Sequence, residues 1–578
     1  MEKFYLLILL ATKNTKKAIK MQNGKNTIQG LFNGDRIFNI PKYQRAYTWT
    51  KENLDDFLDD LLNQRGDKSY FLGTFLFHQQ KNRGEYELLD VVDGQQRITT
   101  FMIFINSLIE QLLKHNSPKI TQRTYHKYIQ DRDGVFKLEL ENEDNGFLHG
   151  YIFGNEKRTS FETTSQKILY KARKYFEKEL SSLNIEKIER IFDVSTNADI
   201  LLYVVNDISD ATQIFELLND RGKKLTNLEA IKSFLMYRID CLNLKDKNQP
   251  IDVIQKYFAS IYRIVEKSKI NESDVIRYHT IAFEKSKASD YDDPEKYIKT
   301  KINKMFEKES DDKKIKSQIL SYVSRLKRSF DIFKTINNNE MKCGNLDKLV
   351  MIGRINPFYP LMMIVYNQQE KEFEGFISNL IRFTFRSTLV SLRSNGESYF
   401  YRYIREKQDL VEAVKWPVEE NWWNINNRVK EFLGYRNFYE WVNKNIVKYI
   451  LFSYENYLRE ENGYPLLGID NYFETDERKK LSIEHITAQK AENIEFDDDF
   501  EEDYLHSLGN LVIDTKSSNS RKGKKSVDKK MEEYITAPLM SQNMIDKSKT
   551  NWDDIEEIKK YIDDRNKEIV KFVKNSLL

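Results

Sequence analysis

The sequence predicts an α+β protein that is predominantly helical. Residues 28 to 115 alternate between two patterns: "YFLGTFLFH" is a continuous apolar run typical of a buried strand, and "NLDDFLDDLL" has apolar residues at helical spacing. From about residue 160 to 450 the chain is mostly amphipathic helix with few glycines or prolines. Residues 482 to 526 predict a strand, a long loop, a second strand and a helix that starts near Asn519. We therefore expect an α/β domain, a helical region and a small ββα domain, in that order.

The middle of the chain shows the helical pattern most clearly. "QKILYKARKYFEKEL" and "IFELLNDRGKKLTNLEAIKSFLMYRI" are both amphipathic. The second is broken at Asn219 to Gly222, and Thr226 is placed as the N-cap of the helix that follows. We expect the first part of this region to complete the N-terminal domain. The predicted domain boundaries are 1–150, 151–450 and 451–578.

Composition sets limits on the function. Hydrophobic residues make up 40% and charged residues 31% of the 578 residues, as in globular proteins. The net charge is only +3, so any nucleic-acid surface must be a local patch. Two cysteines exclude a disulfide scaffold and a cysteine-based zinc site, which fits a reducing cytoplasm. The apolar segment Phe4 to Ala11 is too short to cross a bilayer and has no signal-peptidase site after it, so we expect a cytoplasmic protein without a membrane partner.

A polar cluster interrupts the apolar stretch "LLDVVDGQQRITTF", residues 88 to 101. Gly94 would let the backbone approach a ligand closely, and Arg97 could hold a phosphate. The amides of Gln95 and Gln96 could recognise hydroxyls or a base, and Asp93 could orient water or a metal ion. The alternative is a strand-end turn closed by an internal Arg–Asp pair. No GxxxxGK[ST] loop is present, so a phosphate site of that kind is excluded.

The C-terminal region carries a second polar constellation. Glu484 and His485 lie in "SIEHITAQ", Asn510 follows in "HSLGNLVI", and Asn519 lies in "SSNSRKGKKS". Phosphodiester hydrolysis needs a base to activate water and a cation to offset charge on the leaving oxygen. The oxygen ligands of Glu484 and Asn519 suit Mg²⁺ or Mn²⁺ better than zinc. The alternative is a structural histidine beside an ordinary loop.

Charge runs flank this constellation. Residues 491 to 503 hold eight acids, and residues 516 to 530 hold seven basic residues against one acid. Such runs are usually solvated faces, but a basic helix beside a cleavage site would lie along the phosphate backbone. The residues predicted to contact DNA are Arg521, Lys522, Lys524 and Lys525.

The order and spacing of these C-terminal residues resemble the HNH, or His-Me finger, nuclease motif. The resemblance implies that His485 is the general base, that Glu484 and Asn519 are metal ligands, and that Asn510 braces the hairpin. His506 matches a histidine that is frequent in such motifs, with a structural role as well supported as a metal or phosphate contact. His485, Asn510 and His506 thus form the predicted catalytic group.

One position departs from that motif. Relatives commonly have proline where this chain has Ala488, whereas Gln489 fits the pattern. Proline shapes a loop and carries no chemistry, so the departure weakens the prediction only slightly.

Both ends of the chain together resemble one family. "IPKYQRAYTW", "YFLGTFLF", "VVDGQQRIT" and "FELLNDRGKKLTNLEAIKSFLM" are similar to the N-terminal domain of GmrSD-type, modification-dependent (type IV) restriction enzymes, which is related to the ParB and sulfiredoxin fold. The tail is similar to the HNH-type C-terminal domain of the same family. The resemblance implies a nucleotide-hydrolysing sensor fused to a DNA nuclease that defends bacteria against phage with modified DNA. It places the nucleotide site at residues 93–97, with Arg45 as a second phosphate contact.

Three hypotheses follow. The first is a nucleotide-regulated endonuclease that acts on modified phage DNA. It would require Mg²⁺ or Mn²⁺ and a nucleoside triphosphate, and a homodimer is a candidate assembly. The second is a DNA-binding regulator switched by nucleotide, without cleavage. The third is an RNA-directed nuclease toxin, because such a site reads backbone phosphates and not bases. The complete set of Glu484, His485, Asn510 and Asn519 argues against the second.

Overall fold

The computed structural model describes residues 24–64, 69–154, 156, 160–207, 210–211, 214, 226–268, 270–284, 286–392, 396–492, 494–545 and 550–578. Within them the chain forms two compact units. Unit 1 comprises the described residues up to Arg277 together with Ala288–Lys334, and unit 2 comprises Tyr278–Lys287 together with Thr335–Leu578. The segment Phe4 to Ala11 and the helix break at Asn219 to Gly222 lie outside the described residues. The three-domain division stays a prediction.

Unit 1 contains a mixed six-stranded sheet. Its strands are β1 (Gly24–Thr27), β2 (Arg36–Ile40), β3 (Phe71–Gln79), β4 (Glu87–Asp93), β5 (Leu138–Leu140) and β6 (Asp199–Val205). Their order is β1-β6-β3-β4-β2-β5. The pairs β3–β6, β2–β4 and β2–β5 are parallel, whereas β1–β6 and β3–β4 are antiparallel. Strand β2 ends before Pro41, which has no N–H to continue a ladder.

Helices surround this sheet. Those wholly or partly in unit 1 are α1 (Ile28–Leu31), α2 (Lys51–Asn63), α3 (Gln95–Lys114), α4 (Gln122–Tyr128), α5 (Asn145–Phe147), α6 (Thr164–Ser181), α7 (Ile185–Thr196), α8 (Asn227–Asp240), α9 (Asn248–Ser268), α10 (Glu272–Phe283), α11 (Ala288–Tyr291), α12 (Pro294–Lys308) and α13 (Asp312–Asn337). A π-helical turn covers Leu148–Phe153. Thr226 caps α8 as predicted, because its side chain accepts from the Glu229 N–H.

Helix α3 is the centre of the unit 1 core. It packs against α6 and α7, and its buried side chains join Phe38, Phe77 and Val91 from one face of the sheet. The opposite face carries a smaller apolar cluster that includes Leu76 and Val92. Because successive strand residues face opposite sides, the apolar run of β4 supplies both clusters.

Unit 2 is helical except for one two-stranded sheet. Its helices after α13 are α14 (Gly344–Ile352), α15 (Tyr359–Gln368), α16 (Phe373–Leu389), α17 (Glu397–Glu406), α18 (Leu410–Glu419), α19 (Ile425–Leu433), α20 (Phe438–Trp441), α21 (Lys444–Glu461), α22 (Ile469–Tyr472), α23 (Lys516–Lys522), α24 (Val527–Ile535), α25 (Met540–Asn543) and α26 (Ile555–Phe572). Its strands are β7 (Leu481–His485) and β8 (Leu511–Thr515). The short 3-10 or π turns are Asn356–Phe358, Glu370–Glu372, Trp422–Asn424, Phe500–Tyr504, Leu508–Asn510 and Val573–Leu577.

The predicted order of strand, loop, strand and helix is confirmed at the C-terminal end. Strands β7 and β8 are antiparallel, with His485 opposite Leu511. Helix α23 begins at Lys516, earlier than expected, because the Thr515 side chain caps it by accepting from the Ser518 N–H. The α+β, mostly helical fold class is confirmed for the whole chain.

Helix α26 fixes the start of β8. The Arg565 guanidinium donates to the backbone oxygens of Gly509, at 2.7 Å, and Leu511, at 2.8 Å. A Cβ at Gly509 would lie 2.0 Å from the Ile562 carbonyl oxygen, so only glycine fits there. The "LGN" segment before β8 is therefore held from behind by a helix. None of the helices in the described residues is both long enough and apolar enough to cross a membrane.

Candidate functional sites

The polar cluster of unit 1 lies where β4 ends and α3 begins. Gly94 has a left-handed backbone, with φ of 92°, and precedes the first turn of α3. A Cβ at this position would lie 2.6 Å from the ring of Phe75. Both the backbone angle and the packing therefore require glycine. The structure thus gives Gly94 a packing role, and its close approach to a ligand stays a prediction.

Arg97 and Asp93 form the ion pair foreseen in the alternative interpretation. The Arg97 guanidinium donates to the Asp93 carboxylate at 3.0 Å and to the Thr74 carbonyl oxygen at 2.6 Å. Its Nε atom is buried and makes no hydrogen bond. The Arg97 side chain remains 32% exposed, so a ligand can reach it. Gln95 is buried, and its amide makes no hydrogen bond to any described residue.

Gln96 joins the start of α3 to the "YQRAYTW" segment. Its side-chain oxygen accepts from the Thr48 N–H at 2.9 Å, and its amide nitrogen donates to the Ala46 carbonyl oxygen at 3.0 Å. Gln44 of the same segment donates to the Val92 carbonyl oxygen at 2.9 Å. The two amides therefore connect two motifs that lie about fifty residues apart in sequence.

A third motif joins the same place through α8. Arg45 forms an ion pair with Glu229, with Nε 3.0 Å from Oε1. Lys232 donates to the Tyr43 carbonyl oxygen at 2.9 Å, and burial lowers the pKa of its ammonium group to about 8. Arg45 is predicted as a phosphate contact, and in this structure its charge is already paired with a carboxylate. The structure thus brings together residues from three separate parts of the sequence.

In unit 2, His485 lies at the end of β7 with one ring nitrogen free. Its Nε2 is 3.2 Å from Nδ1 of His506, and its Nδ1 makes no hydrogen bond to a described residue. Burial, followed by the nearby His506, Lys530 and Lys444, lowers the pKa of His485 to about 3. The imidazole is therefore neutral at physiological pH. In the tautomer in which Nε2 donates to His506, Nδ1 is unprotonated and is the nitrogen available as a base.

Residues of α20 and the first residue of α21 lie beside the two histidines. The Tyr439 ring stacks on His506 and meets His485 edge-on, and the Tyr439 N–H donates to the His506 carbonyl oxygen at 2.9 Å. Glu440 lies 4.0 Å from His506 Nδ1, and Lys444 donates to the Tyr439 carbonyl oxygen. No motif marks these residues, which lie 41 to 46 positions before His485, so the sequence gives no signal for them.

Asn510 is fully buried between the two strands. Its side-chain oxygen accepts from the Thr487 N–H at 2.9 Å. Its amide donates to the carbonyl oxygens of Leu505, at 2.8 Å, and Thr487, at 3.1 Å. These bonds join the residues after β7 to the turn before β8, and the bracing role of Asn510 in a nuclease site stays a prediction.

Glu484 faces the opposite side of β7 from His485, because strand side chains alternate. One of its carboxylate oxygens accepts from the buried Lys530 ammonium at 2.7 Å, and the other makes no hydrogen bond to a described residue. Asn519 donates its amide to Ser482 Oγ at 3.1 Å and to the Ile483 carbonyl oxygen at 3.0 Å, which leaves its side-chain oxygen unbonded. Each predicted metal ligand therefore retains one oxygen atom.

These two oxygens fit Mg²⁺ or Mn²⁺ in donor type. Mg²⁺ is commonly held by one or two protein oxygens and keeps several water ligands. The described residues contain no group of three or more histidine, cysteine, aspartate or glutamate side chains that could hold a metal ion. In donor type alone, these two oxygens would suit a hydrated, oxygen-liganded cation.

The prediction that Lys522 contacts DNA is wrong. Its side chain is completely buried, and its ammonium donates to Asp514 at 2.9 Å and to Gln542 at 2.8 Å. Charged residues are buried only when such partners satisfy them. A basic residue in a basic run can therefore belong to the core.

The other predicted DNA contacts lie on the surface. Arg521 and Lys525 both pair with Glu533, at 2.8 and 3.4 Å. Lys524 is exposed, and its side chain forms no ion pair with the described residues. Lys524 is thus the predicted DNA contact whose charge is least neutralised.

Comparison with known protein families gives two matches. Residues 28–236 match the GmrSD restriction endonuclease, N-terminal domain, and residues 423–571 match the GmrSD restriction endonucleases, C-terminal domain. The first match contains the three motifs that meet in unit 1, and the second contains the hairpin, both histidines and Tyr439. No curated protein matches the chain. The two matches together span more than half of the chain, which therefore belongs to the GmrSD family of DNA-cleaving restriction endonucleases.

Proposed function

We propose that this restriction enzyme is a nucleotide-regulated, metal-dependent endonuclease that cleaves modified phage DNA. Unit 2 would cut DNA at His485, and unit 1 would bind and hydrolyse a nucleoside triphosphate. One observation carries the cleavage assignment: His485 is neutral, is held through Nε2 by His506, and keeps Nδ1 free. A fixed imidazole with one free nitrogen is what a general base requires.

His485 would accept the proton of the attacking water at Nδ1. His506 acts through His485, because the hydrogen bond at Nε2 sets which nitrogen carries the proton. The lowered pKa makes His485 a weak base in the free protein. A phosphate anion beside the ring would raise this pKa, because a nearby negative charge favours the protonated form. Substrate binding would therefore strengthen the base.

Glu484 and Asn519 would hold Mg²⁺ or Mn²⁺ through their unbonded oxygens. When bound, the cation would offset the negative charge that develops on the leaving oxygen. Asn519 is already oriented for this task, since its amide is anchored on β7. Asn510 keeps the hairpin closed beneath the site.

In unit 1, nucleotide phosphates would be bound by the guanidinium groups of Arg97 and Arg45. Both groups are paired with carboxylates, Asp93 and Glu229, so a phosphate would compete with these partners for the guanidinium groups. The remaining residues of the proposed nucleotide site are Gly94, Gln95 and Gln96. The convergence of three sequence motifs on this place supports the assignment.

The DNA backbone would be contacted by the exposed basic residues after β8. These are Arg521, Lys524 and Lys525, without the buried Lys522. Each phosphate that they neutralise would release counterions and so favour binding.

The test is cleavage of unmodified, glucosylated and phosphorothioated DNA, and of RNA, each with Mg²⁺, with Mn²⁺ or with a chelator, and with or without each nucleoside triphosphate. We expect nicking or cutting of modified DNA that a chelator abolishes and a nucleotide changes. Degradation of RNA without DNA cleavage would favour a toxin. DNA binding without any cleavage would favour a regulator.

A further inference from the structure

The side chain of Lys530 contacts the hairpin formed by β7 and β8. It lies on α24, its side chain is completely buried, and its ammonium donates to Glu484 Oε1 at 2.7 Å. The same ammonium donates to the backbone oxygens of His485, at 3.0 Å, and Ile486, at 3.3 Å. All three N–H groups of the ammonium thus have acceptors at the end of β7.

The three acceptor oxygens matter because of the residues to which they belong. The His485 carbonyl belongs to the residue that presents the free Nδ1, and Ile486 is the residue at which β7 turns into the loop braced by Asn510. Glu484 is the carboxylate whose second oxygen remains unbonded. A single buried charge therefore holds the backbone of the base and the side chain of the proposed metal ligand.

We infer that Lys530 is a positioning residue of the cleavage site, which fixes His485 through the backbone and orients Glu484 through one oxygen. This inference rests on the proposed role of His485 as the base. Groups that hold a reacting residue in place affect the rate strongly, because a displacement of about 1 Å can cost about 100-fold in rate. Lys530 need not touch the DNA to act in this way.

Lys522 provides a matched control within the same fold. It is also completely buried and also pairs with a carboxylate, Asp514 at 2.9 Å, but it donates nothing to the end of β7. Removal of either ammonium leaves one buried carboxylate without its partner, so both variants should melt at lower temperature. Only the loss of Lys530 should disturb His485.

The experiment compares Lys530→Met with Lys522→Met in the full chain, below the melting temperature of both. For Lys530→Met we expect kcat for cleavage to fall about 100-fold with KM for DNA within about twofold of the wild type. For Lys522→Met we expect kcat within about twofold. The ring signals of His485, recorded by NMR with labelled histidine, should move in the first variant only. Wild-type kcat and unmoved signals in folded Lys530→Met, or equal losses in both variants, would overturn the inference.

A second pair of variants covers the case in which Lys530→Met does not fold. Glu484→Gln/Lys530→Met leaves no uncompensated charge, and it is compared with Glu484→Gln alone. Because Lys530 also donates to two carbonyl oxygens, the double variant should have the lower kcat and shifted His485 signals. Equal kcat and equal signals would contradict the inference. The NMR readout does not depend on activity, so cleavage that persists in His485→Ala would refute the proposed function without deciding the role of Lys530.

Discussion

The proposed sites of unit 1 and unit 2 differ in whether their polar side chains already have hydrogen-bond or ion-pair partners. In unit 1, the guanidinium groups of Arg97 and Arg45 are paired with carboxylates, and the Gln96 amide is used on both sides to hold a neighbouring segment. In unit 2, His485 keeps a free ring nitrogen, and Asn519 keeps a free oxygen. The proposed cleavage site thus keeps atoms that have no hydrogen-bond partner among the described residues, whereas the charged groups of the proposed nucleotide site are engaged in internal pairs.

This difference indicates how each site would meet its ligand. A phosphate entering unit 1 would compete with Asp93 and Glu229 for the two guanidinium groups, so binding would change the contacts that join the three motifs. In unit 2 the side chains are already held in place, so no protein ion pair has to break at the base. Unit 1 therefore suits a switch, and unit 2 suits a site organised before substrate binds.

The largest expected effect is the loss of DNA cleavage in the His485→Ala variant. Removal of the base should lower the cleavage rate by about 10²–10⁴-fold. DNA binding and nucleotide hydrolysis should stay near the wild-type values, because the basic residues and unit 1 are unchanged. Plasmid nicking, a filter-binding assay and phosphate release measure the three activities. Loss of all three would show that His485 maintains the fold instead.

The Arg97→Ala variant should show the opposite pattern, in which nucleotide hydrolysis falls and the cleavage site is unchanged. Loss of a charge-assisted phosphate contact costs about 1.5–3 kcal/mol, which is roughly 10- to 150-fold in nucleotide turnover. Arg83→Ala is the matched control, since it removes another Arg–carboxylate pair of the same unit, with Glu139. Wild-type phosphate release by Arg97→Ala would show that its pair with Asp93 is purely structural.

The buried imidazole of His485 should make unit 2 sensitive to acid. Its pKa is lowered from 6.5 to about 3, so below pH 6.5 the unfolded chain binds a proton that the folded chain excludes. Stability is therefore lost as the pH falls from 6.5 towards 3, by up to about 1.4 kcal/mol per pH unit. His485→Gln should lose less stability than the wild type between pH 6.5 and 5, measured by calorimetric melting. Parallel losses in the two proteins would contradict the burial of a neutral ring.

The smallest effect is expected from Lys524→Gln. Removal of one phosphate contact should weaken DNA binding several-fold and reduce the salt slope by about 0.9. Lys567→Gln is the control, because this exposed lysine of α26 lies outside the basic segment and pairs with Asp564. Equal slopes for both variants and the wild type would show that the basic segment is only a solvated surface.

The sequence predicted the local elements well. Strand β3, helix α2 and the cap at Thr226 follow from periodicity and residue type, which act over a few residues. The role of Asn510 followed from the resemblance to a known motif and stays a prediction; in the structure its side chain forms hydrogen bonds with Thr487 and Leu505.

What the sequence could not show depends on distant partners. Lys522 and Lys524 look alike within one basic run, yet Asp514 and Gln542 draw the first into the core. Lys530 and Tyr439 acquire their roles only when α24 and α20 meet the hairpin. Burial of a charge is decided by tertiary contacts, so a local pattern cannot distinguish a core lysine from a DNA contact.

The protonation of the His485 ring tests the central claim most directly. The claim is that His485 is neutral, with the proton on Nε2 and Nδ1 free to act as the base. Long-range ¹H–¹⁵N NMR of histidine-labelled protein at pH 7, with His485→Gln used to assign the signal, reports which nitrogen is protonated. We predict an unprotonated Nδ1 and a protonated Nε2. A proton on Nδ1, or a doubly protonated ring, would contradict the assignment of His485 as a base organised in advance of substrate.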